Sequence, residues 1–297
     1  MLITAAIVPS IAIALTAAAL GAISTQPQPA SSWKDDPAWH QGKAEWALYD
    51  ATRTIYGKSR MYEATIFTNR QVMDPATTTK AEGDVPGGIE VFKHNISEII
   101  PTENYQYRFL TTCFLTADAL RPYRVTVSTQ EDCGSSFRNF NITTDQTVRA
   151  TQFCYFPGQG NSEADYTASG TLAFHNSLSL SLRDFPFGAQ FIKAPELTLV
   201  SEQRNPRVTS LAAANATISD MGEEVINVPY GQVRTHHLRV DHEPVDGTTQ
   251  SDFWFALDPG MRNVMVQYRG PFGVEYQLKR LQWWAYWSDP KPGKTSR

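Results

Sequence analysis

Short alternating segments separated by closely spaced turn signals run through most of the chain, and this spacing limits the fold more than any other feature. Residues 45–56, 60–69, 89–94, 105–116, 124–131, 137–142 and 147–156 each read as a strand, with Gly, Pro, Asn, Asp and Ser gathered between them. A parallel βαβ unit needs a crossover of about a dozen residues or more, so gaps this short specify antiparallel hairpins. The pattern resumes at 191–200, 208–218, 232–242, 253–257, 264–268 and 274–287. Thr, Tyr, Phe and Val are frequent and aromatics reach 11%, which suits the pleated, half-buried surface of a sheet. The class is mainly β. Residues 74–88, rich in Pro, Thr, Gly and charge with no period, read as a surface loop.

The first 24 residues stand apart. No charged side chain occurs from Leu2 to Ile23, and Ala17-Ala18-Ala19-Leu20-Gly21-Ala22-Ile23-Ser24 supplies small residues ahead of the polar Thr25-Gln26-Pro27-Gln28-Pro29. Residues 1–24 are read as a signal peptide or, since the run approaches the ~20 residues that span a bilayer, an N-terminal anchor. Export to the periplasm or cell envelope follows. Residues 25–38 read as a flexible linker, 39–288 as a single β-rich domain and 289–297 as a disordered tail. The formal charge of −4, from 26 basic and 30 acidic side chains, contains no run that would hold a phosphate backbone, so nucleic acid is excluded as a partner. Membrane contact is expected only through the N-terminal segment.

Three cysteines, Cys113, Cys133 and Cys154, fall in a chain read as folding where disulfides persist. If the hairpin of 137–156 turns at Thr143-Thr144-Asp145-Gln146, Cys133 lies almost opposite Cys154, within reach of a disulfide. Buried free thiols, or a reactive Cys133 beside Glu131 and Asp132, are the alternatives, although two acidic neighbours raise a thiol pKa. His236 and His242 share one side of a strand but lie about 20 Å apart along it, too far for one metal ion, so hydrogen-bonded strand histidines are expected there. Glu131 and Asp132 point to opposite faces and read as a polar strand end. Trp283, Trp284, Tyr286 and Trp287 make both faces of the last strand apolar. A strand of that kind is covered on both sides, or else presents an aromatic platform. No Gly-x-Ser-x-Gly elbow, phosphate loop or His-Glu-x-x-His helix occurs, so no catalytic residue, metal or cofactor is assigned.

Residues 176–184 are ambiguous: Leu178, Leu180 and Leu182 alternate as in a strand, while Asn176-Ser177 permits a helix start. Several segments carry a resemblance. Val228 to Val240, with its Pro229-Tyr230-Gly231 turn, and Phe253-Trp254-Phe255-Ala256-Leu257-Asp258 resemble the paired late strands of an exported bacterial family of unknown function. Ser179 to Arg183 before Phe185-Pro186-Phe187-Gly188 is similar to that family's short helix and loop, which implies a helix here. Phe92-Lys93-His94-Asn95, Ser128 to Gly134 and Tyr286-Trp287 look like the subgroup often labelled septum formation inhibitor Maf. True Maf proteins are nucleotide pyrophosphatases built on an α/β sheet, and that activity is not expected of a strand-rich chain. The resemblance covers about 39–287 and implies a strongly curved antiparallel sheet or incomplete barrel with one short helix on its concave side. Such half-barrels resemble bacterial lipoprotein carriers, which take up acyl chains. The expected function is therefore non-enzymatic binding of an amphiphilic or lipid-like ligand in the envelope. The alternative is a structural or adhesive module for polysaccharide or protein.

Overall fold

The structure is a computed structural model that describes residues 32–132, 134–143, 146–168, 170–185, 196–200, 204 and 213–291. Its strands are β1 (Ala44–Ile55), β2 (Lys58–Asp74), β3 (Thr79–Lys80), β4 (Ile89–Pro101), β5 (Gln106–Thr116), β6 (Pro122–Glu131), β7 (Gly134–Ile142) and β8 (Thr147–Tyr155). They continue with β9 (Ser162–Thr167), β10 (Thr171–Phe174), β11 (Glu196–Val200), β12 (Ala213–Val228), β13 (Gly231–Val245), β14 (Thr248–Ala256), β15 (Met265–Gly270) and β16 (Val274–Trp284). One short helix, α1 (Leu178–Ser181), lies between β10 and β11.

All of these strands join one sheet in the order β10-β11-β12-β13-β14-β15-β16-β1-β2-β4-β5-β6-β7-β8-β9, with β3 a short hairpin off β2. Only β10 and β11 run parallel; every other pair is antiparallel. Laid flat, this order would separate its edges by roughly 65 Å at about 4.8 Å per strand. Yet the edges β9 and β10 are joined between Thr167 and Thr171, a link of at most about 15 Å at 3.8 Å per residue. The sheet must therefore curl on itself. β9 and β10 do not pair with each other, so the result is an open, strongly curved sheet, as expected.

Inward-facing residues alternate along each strand, as in β5, where Tyr107, Phe109, Thr111, Cys113 and Leu115 are all buried. The largest apolar cluster runs from Tyr49 on β1 through Ile66 and Ile96 to Leu238, Phe253 and Tyr276. A second lies under β5 to β8 around Val125, Val127 and Phe140.

The segment around α1 crosses this interior. A 3-10 turn at His175–Ser177, α1 itself and a further 3-10 turn at Leu182–Asp184 form a continuous coil. The alternation of Leu178, Leu180 and Leu182 misleads because apolar walls surround the coil on two sides. Leu178 and Leu182, one turn apart, pack into the largest cluster, while Leu180 points the other way into a cluster with Trp33, Trp39, Phe92 and Leu115. The helix implied by the resemblance is present.

Residues 33–38, assigned to the linker of 25–38, already belong to the packed body, ahead of the expected domain start at Trp39. Two 3-10 turns, Trp33–Asp35 and Pro37–His40, pack against the curved sheet, and the Asp36 carboxylate accepts the Ala38 N–H at 2.9 Å to cap the second. Trp33 and Trp39 are both buried and each meets the Phe92 ring, at 5.2 and 5.1 Å. Residues 1–31, which include the whole expected leader, and 292–297 of the expected tail lie outside the described residues.

The last strand stops at Trp284 rather than 287. Trp284 and Tyr286 fold over the outer face of β1 and β2, where their rings lie 5.2 Å from Trp46 and 4.2 Å from Phe67. Trp283 packs on Trp39 at 4.7 Å. Aromatics on both faces of this strand thus cover protein, and of the four only Trp287 is exposed.

Candidate functional site

In an up-and-down run of strands, alternate turns fall at the same end. The turns β1–β2, β4–β5, β6–β7 and β8–β9 therefore share one rim of the curved sheet. The β1–β2 turn is Tyr56-Gly57, with φ of 52° and 72°, the left-handed pair that a two-residue hairpin requires. Thr102 holds the β4–β5 turn by accepting the Tyr105 N–H and donating its hydroxyl to the Tyr105 carbonyl. At β6–β7, Glu131 pairs with Gly134, whose missing side chain matters: a Cβ there would meet the Phe156 ring at 2.5 Å and the Tyr155 carbonyl at 2.6 Å.

Two hollows open at this rim. One, of about 720 Å³, is lined by Ser128, Gln130, Ser135, Phe137, Phe153 and Tyr155 together with Asn161 and Cys154. The other, of about 560 Å³, is lined by Tyr105, Gln106, Arg108, Gln130, Glu131 and Asp132 together with Ser135. Gln130 and Ser135 belong to both, so the hollows form one groove across β5 to β8.

The groove is aromatic at one end. Phe153 and Tyr155 lie on the outward face of β8 at 55% and 78% exposure, and Phe137 on β7, at 39%, is the direct cross-strand partner of Phe153. Leu110 (β5) and Ser128 (β6) continue the same outward row. The other end carries the Tyr105 hydroxyl, backed by Tyr56 and by the inward-facing Tyr107. Tyr56 and Tyr105 share a hydrogen bond of 2.8 Å, Tyr107 donates to Tyr56 at 2.7 Å, and Tyr105 and Tyr107 lie 3.4 Å apart. Burial, then hydrogen bonds with Tyr105, Tyr56 and Glu131, push the Tyr107 phenol far above its usual range, so it stays protonated.

The residues singled out in the sequence fall in several places. Glu131 is half-buried beside Tyr107, whereas Asp132 is exposed, as opposite strand faces require. The β7–β8 hairpin pairs Ile142 with Val148, one residue beyond the counted turn, so Ser136 is the partner of Cys154. Cys154 carries a free thiol that donates to Gln159 Oε1 at 3.5 Å. Cys133, the other half of the expected bridge, lies outside the described residues.

The strand histidines each find a different partner. His236 Nε2 meets Asp220 Oδ1 at 2.5 Å, on the inner side of a bulge in β12. His237 stacks on Trp254 at 4.2 Å and binds Asp252 at 2.7 Å. Burial opposes ionisation of Asp252, yet hydrogen bonds from His237 and Arg239 hold its pKa below the usual value. His242 donates from Nδ1 to the Glu243 carbonyl at 2.8 Å, which leaves Nε2 to accept the Ser251 hydroxyl at 2.9 Å. Ser251 in turn accepts from His175 Nε2 at 2.8 Å, which ties the central coil to β14. Among the described residues, no group of three or more His, Cys, Asp or Glu side chains is placed to hold a metal ion.

Sequence alternation missed the inward charges. Glu98, fully buried on β4, accepts from the Tyr62 hydroxyl and from Arg204 at 2.9 Å, with Arg53 at 4.0 Å. Glu45 pairs with Arg183 at 2.7 Å, both 1% exposed. Arg138 is wholly buried and donates to Gln152 at 2.7 Å. These groups are held against one another and cross-link the interior.

No protein family model matches this sequence. No curated protein matches it either. Among solved structures it is similar to a β-barrel-like protein of a domain of unknown function, DUF1849, from Brucella abortus. That likeness has 9% identity and a TM-score of 0.49 over 81% of this chain and 97% of the other.

Proposed function

We propose that this is a non-enzymatic binding protein of the cell envelope, exported by its N-terminal segment, that engages a macromolecular partner at the rim groove. The observation that carries the reading is the outward aromatic set Phe137, Phe153 and Tyr155, exposed together beside two adjoining hollows. Large side chains grouped in this way on a surface mark an interaction site.

An acyl carrier of the kind implied by the half-barrel resemblance needs an apolar cavity beneath its sheet. Here the described interior carries the α1 coil, three apolar clusters and the buried ion pairs of Glu45 and Glu98. An acyl chain there would lie against buried charges and displace packed side chains, at a cost on both counts. The observations thus favour the adhesive alternative over the carrier.

The test is a pull-down from solubilised envelope with the full chain, beside a Phe153→Ala/Tyr155→Ala variant. Both side chains are solvent-facing, so the variant keeps its fold and loses the captured macromolecule. Equal capture by the two proteins would refute the groove. Saturable uptake of a fluorescent fatty acid by the delipidated protein would restore the carrier.

A further inference from the structure

Taking the rim groove as the binding site, we infer that its occupant is a near-neutral glycan chain, stacked on Phe137, Phe153 and Tyr155 and held at its far end by the Tyr105 hydroxyl. The inference rests on the reading above and on four features of the groove.

The aromatics present open faces rather than an enclosed cavity. The C–H face of a pyranose ring stacks on an exposed aromatic without needing enclosure, whereas an acyl chain gains only where water is excluded around it. Phe153 and Tyr155 are i, i+2 neighbours on one face of β8, so their side chains stand side by side.

The outward polar groups sharing this hollow include Ser128, Gln130, Ser135 and Asn161. Each of these side chains both donates and accepts, as does the hydroxyl of Tyr105. Sugar hydroxyls do the same. A surface whose groups can reverse roles fits a ligand whose groups can reverse roles.

Charge narrows the ligand further. The groove carries Arg108 with Glu131 and Asp132, a small negative excess that neither attracts a polyanion nor supplies the basic track a single-stranded nucleic acid needs. A strongly charged polymer is therefore disfavoured. The span from β8 to β5 is three inter-strand spacings, about 14 Å, long enough for several sugar rings laid across the strands.

The experiment is calorimetric titration of the full chain with two neutral β-linked probes, cellohexaose and chitohexaose. At least one should bind saturably. Phe153→Ala should weaken it roughly tenfold, and Tyr105→Phe, which removes one hydroxyl from the far end, roughly threefold or more, with unchanged thermal midpoints. Failure of both probes to bind, or binding indifferent to Phe153, overturns the inference. If envelope capture depends on Phe153 but the oligosaccharides neither bind nor compete, the groove stands and its partner is a protein. If capture does not depend on Phe153, the groove itself falls.

Discussion

Replacing Arg183 by Met tests whether the central coil is held by its buried ion pair. The guanidinium lies 2.7 Å from Glu45 on β1, and both side chains are 1% exposed. Removing one partner of such a pair strands the other charge in a poorly solvated place, at about 3–5 kcal/mol. Arg262 lies 3.4 Å from the second Glu45 oxygen and offers partial compensation, so the lower end, about 3 kcal/mol, is expected. A body of this size loses about 2–4 °C per kcal/mol, which gives a fall of roughly 6–12 °C in Tm. Arg183 is itself incompletely served, since its Nε and Nη1 find no hydrogen-bond partner among the described residues. Exchanging both charges for apolar groups, as in Glu45→Leu/Arg183→Met, should therefore recover most of the loss. Arg262 keeps Asp36 at 3.5 Å and the Trp283 ring in that double variant. Urea and thermal unfolding of the wild type, both single variants and the double variant measure the cycle. A cost below about 1 kcal/mol for Arg183→Met, or a double variant as unstable as the single, would refute the reasoning.

Acid should weaken the fold through His94. Burial, then the charge of Arg183, pushes this imidazole down to about 3, with Thr68 and Ser179 each 2.8 Å from its nitrogens. The unfolded chain takes up a proton below about pH 6.5 while the native state does not, so the contribution is complete above that pH and falls as pH drops toward 3. The slope is up to about 1.4 kcal/mol per pH unit, or about 2 kcal/mol between pH 6.5 and 5. Urea midpoints across this range should show it, and His94→Gln should flatten the curve; parallel curves would count against it. Gly134→Ala places a Cβ at 2.5 Å from Phe156 and 2.6 Å from the Tyr155 carbonyl, which should cost about 1–3 kcal/mol and shift the aromatic end of the groove. Its check is loss of Phe153-dependent capture alongside a lowered Tm. Trp39→Ala should cost about 3–5 kcal/mol in thermal unfolding, because the ring packs on Trp33, Phe92 and Trp283.

The strand run was legible because hairpins keep their two signals, alternation and turn residues, close together in the chain. Even so, β9 and β10 escaped notice: both are short, and β9 is mostly exposed, so no apolar face marks it. Leu178, Leu180 and Leu182 read as a strand because alternation records burial, and a helix walled in on two sides buries residues that its period alone would not. Glu45, Glu98 and Arg138 were hidden by the same logic, since a charge in an alternating segment normally faces water. Their partners, such as Arg183 for Glu45, lie far off in sequence, and no local pattern announces them. The groove was half-legible. Phe137 and Phe140 differ by an odd step and cannot face the same way, so with Phe140 in the core Phe137 had to face out.

The two ends of the curved sheet are built differently, and this explains why a site would sit at only one of them. At one end Lys34 donates to the Asp118 carbonyl at 2.8 Å and pairs with Asp184 at 2.7 Å, while Arg70 reaches the Lys34 carbonyl. The N-terminal turns thereby tie the β5–β6 connection to the central coil, and Trp33 and Trp39 close over Leu180. Any partner approaching there would have to displace a packed aromatic cluster. At the opposite rim the side chains of Tyr56, Phe153 and Tyr155 remain exposed, although the strands beneath them are fixed by the same buried interior. Binding there orders few groups that are not already ordered, so little of the contact energy is lost to fixing the site. The buried charges that argue against a carrier, cross-linked to the packed clusters, thus also fix the strands beneath the rim.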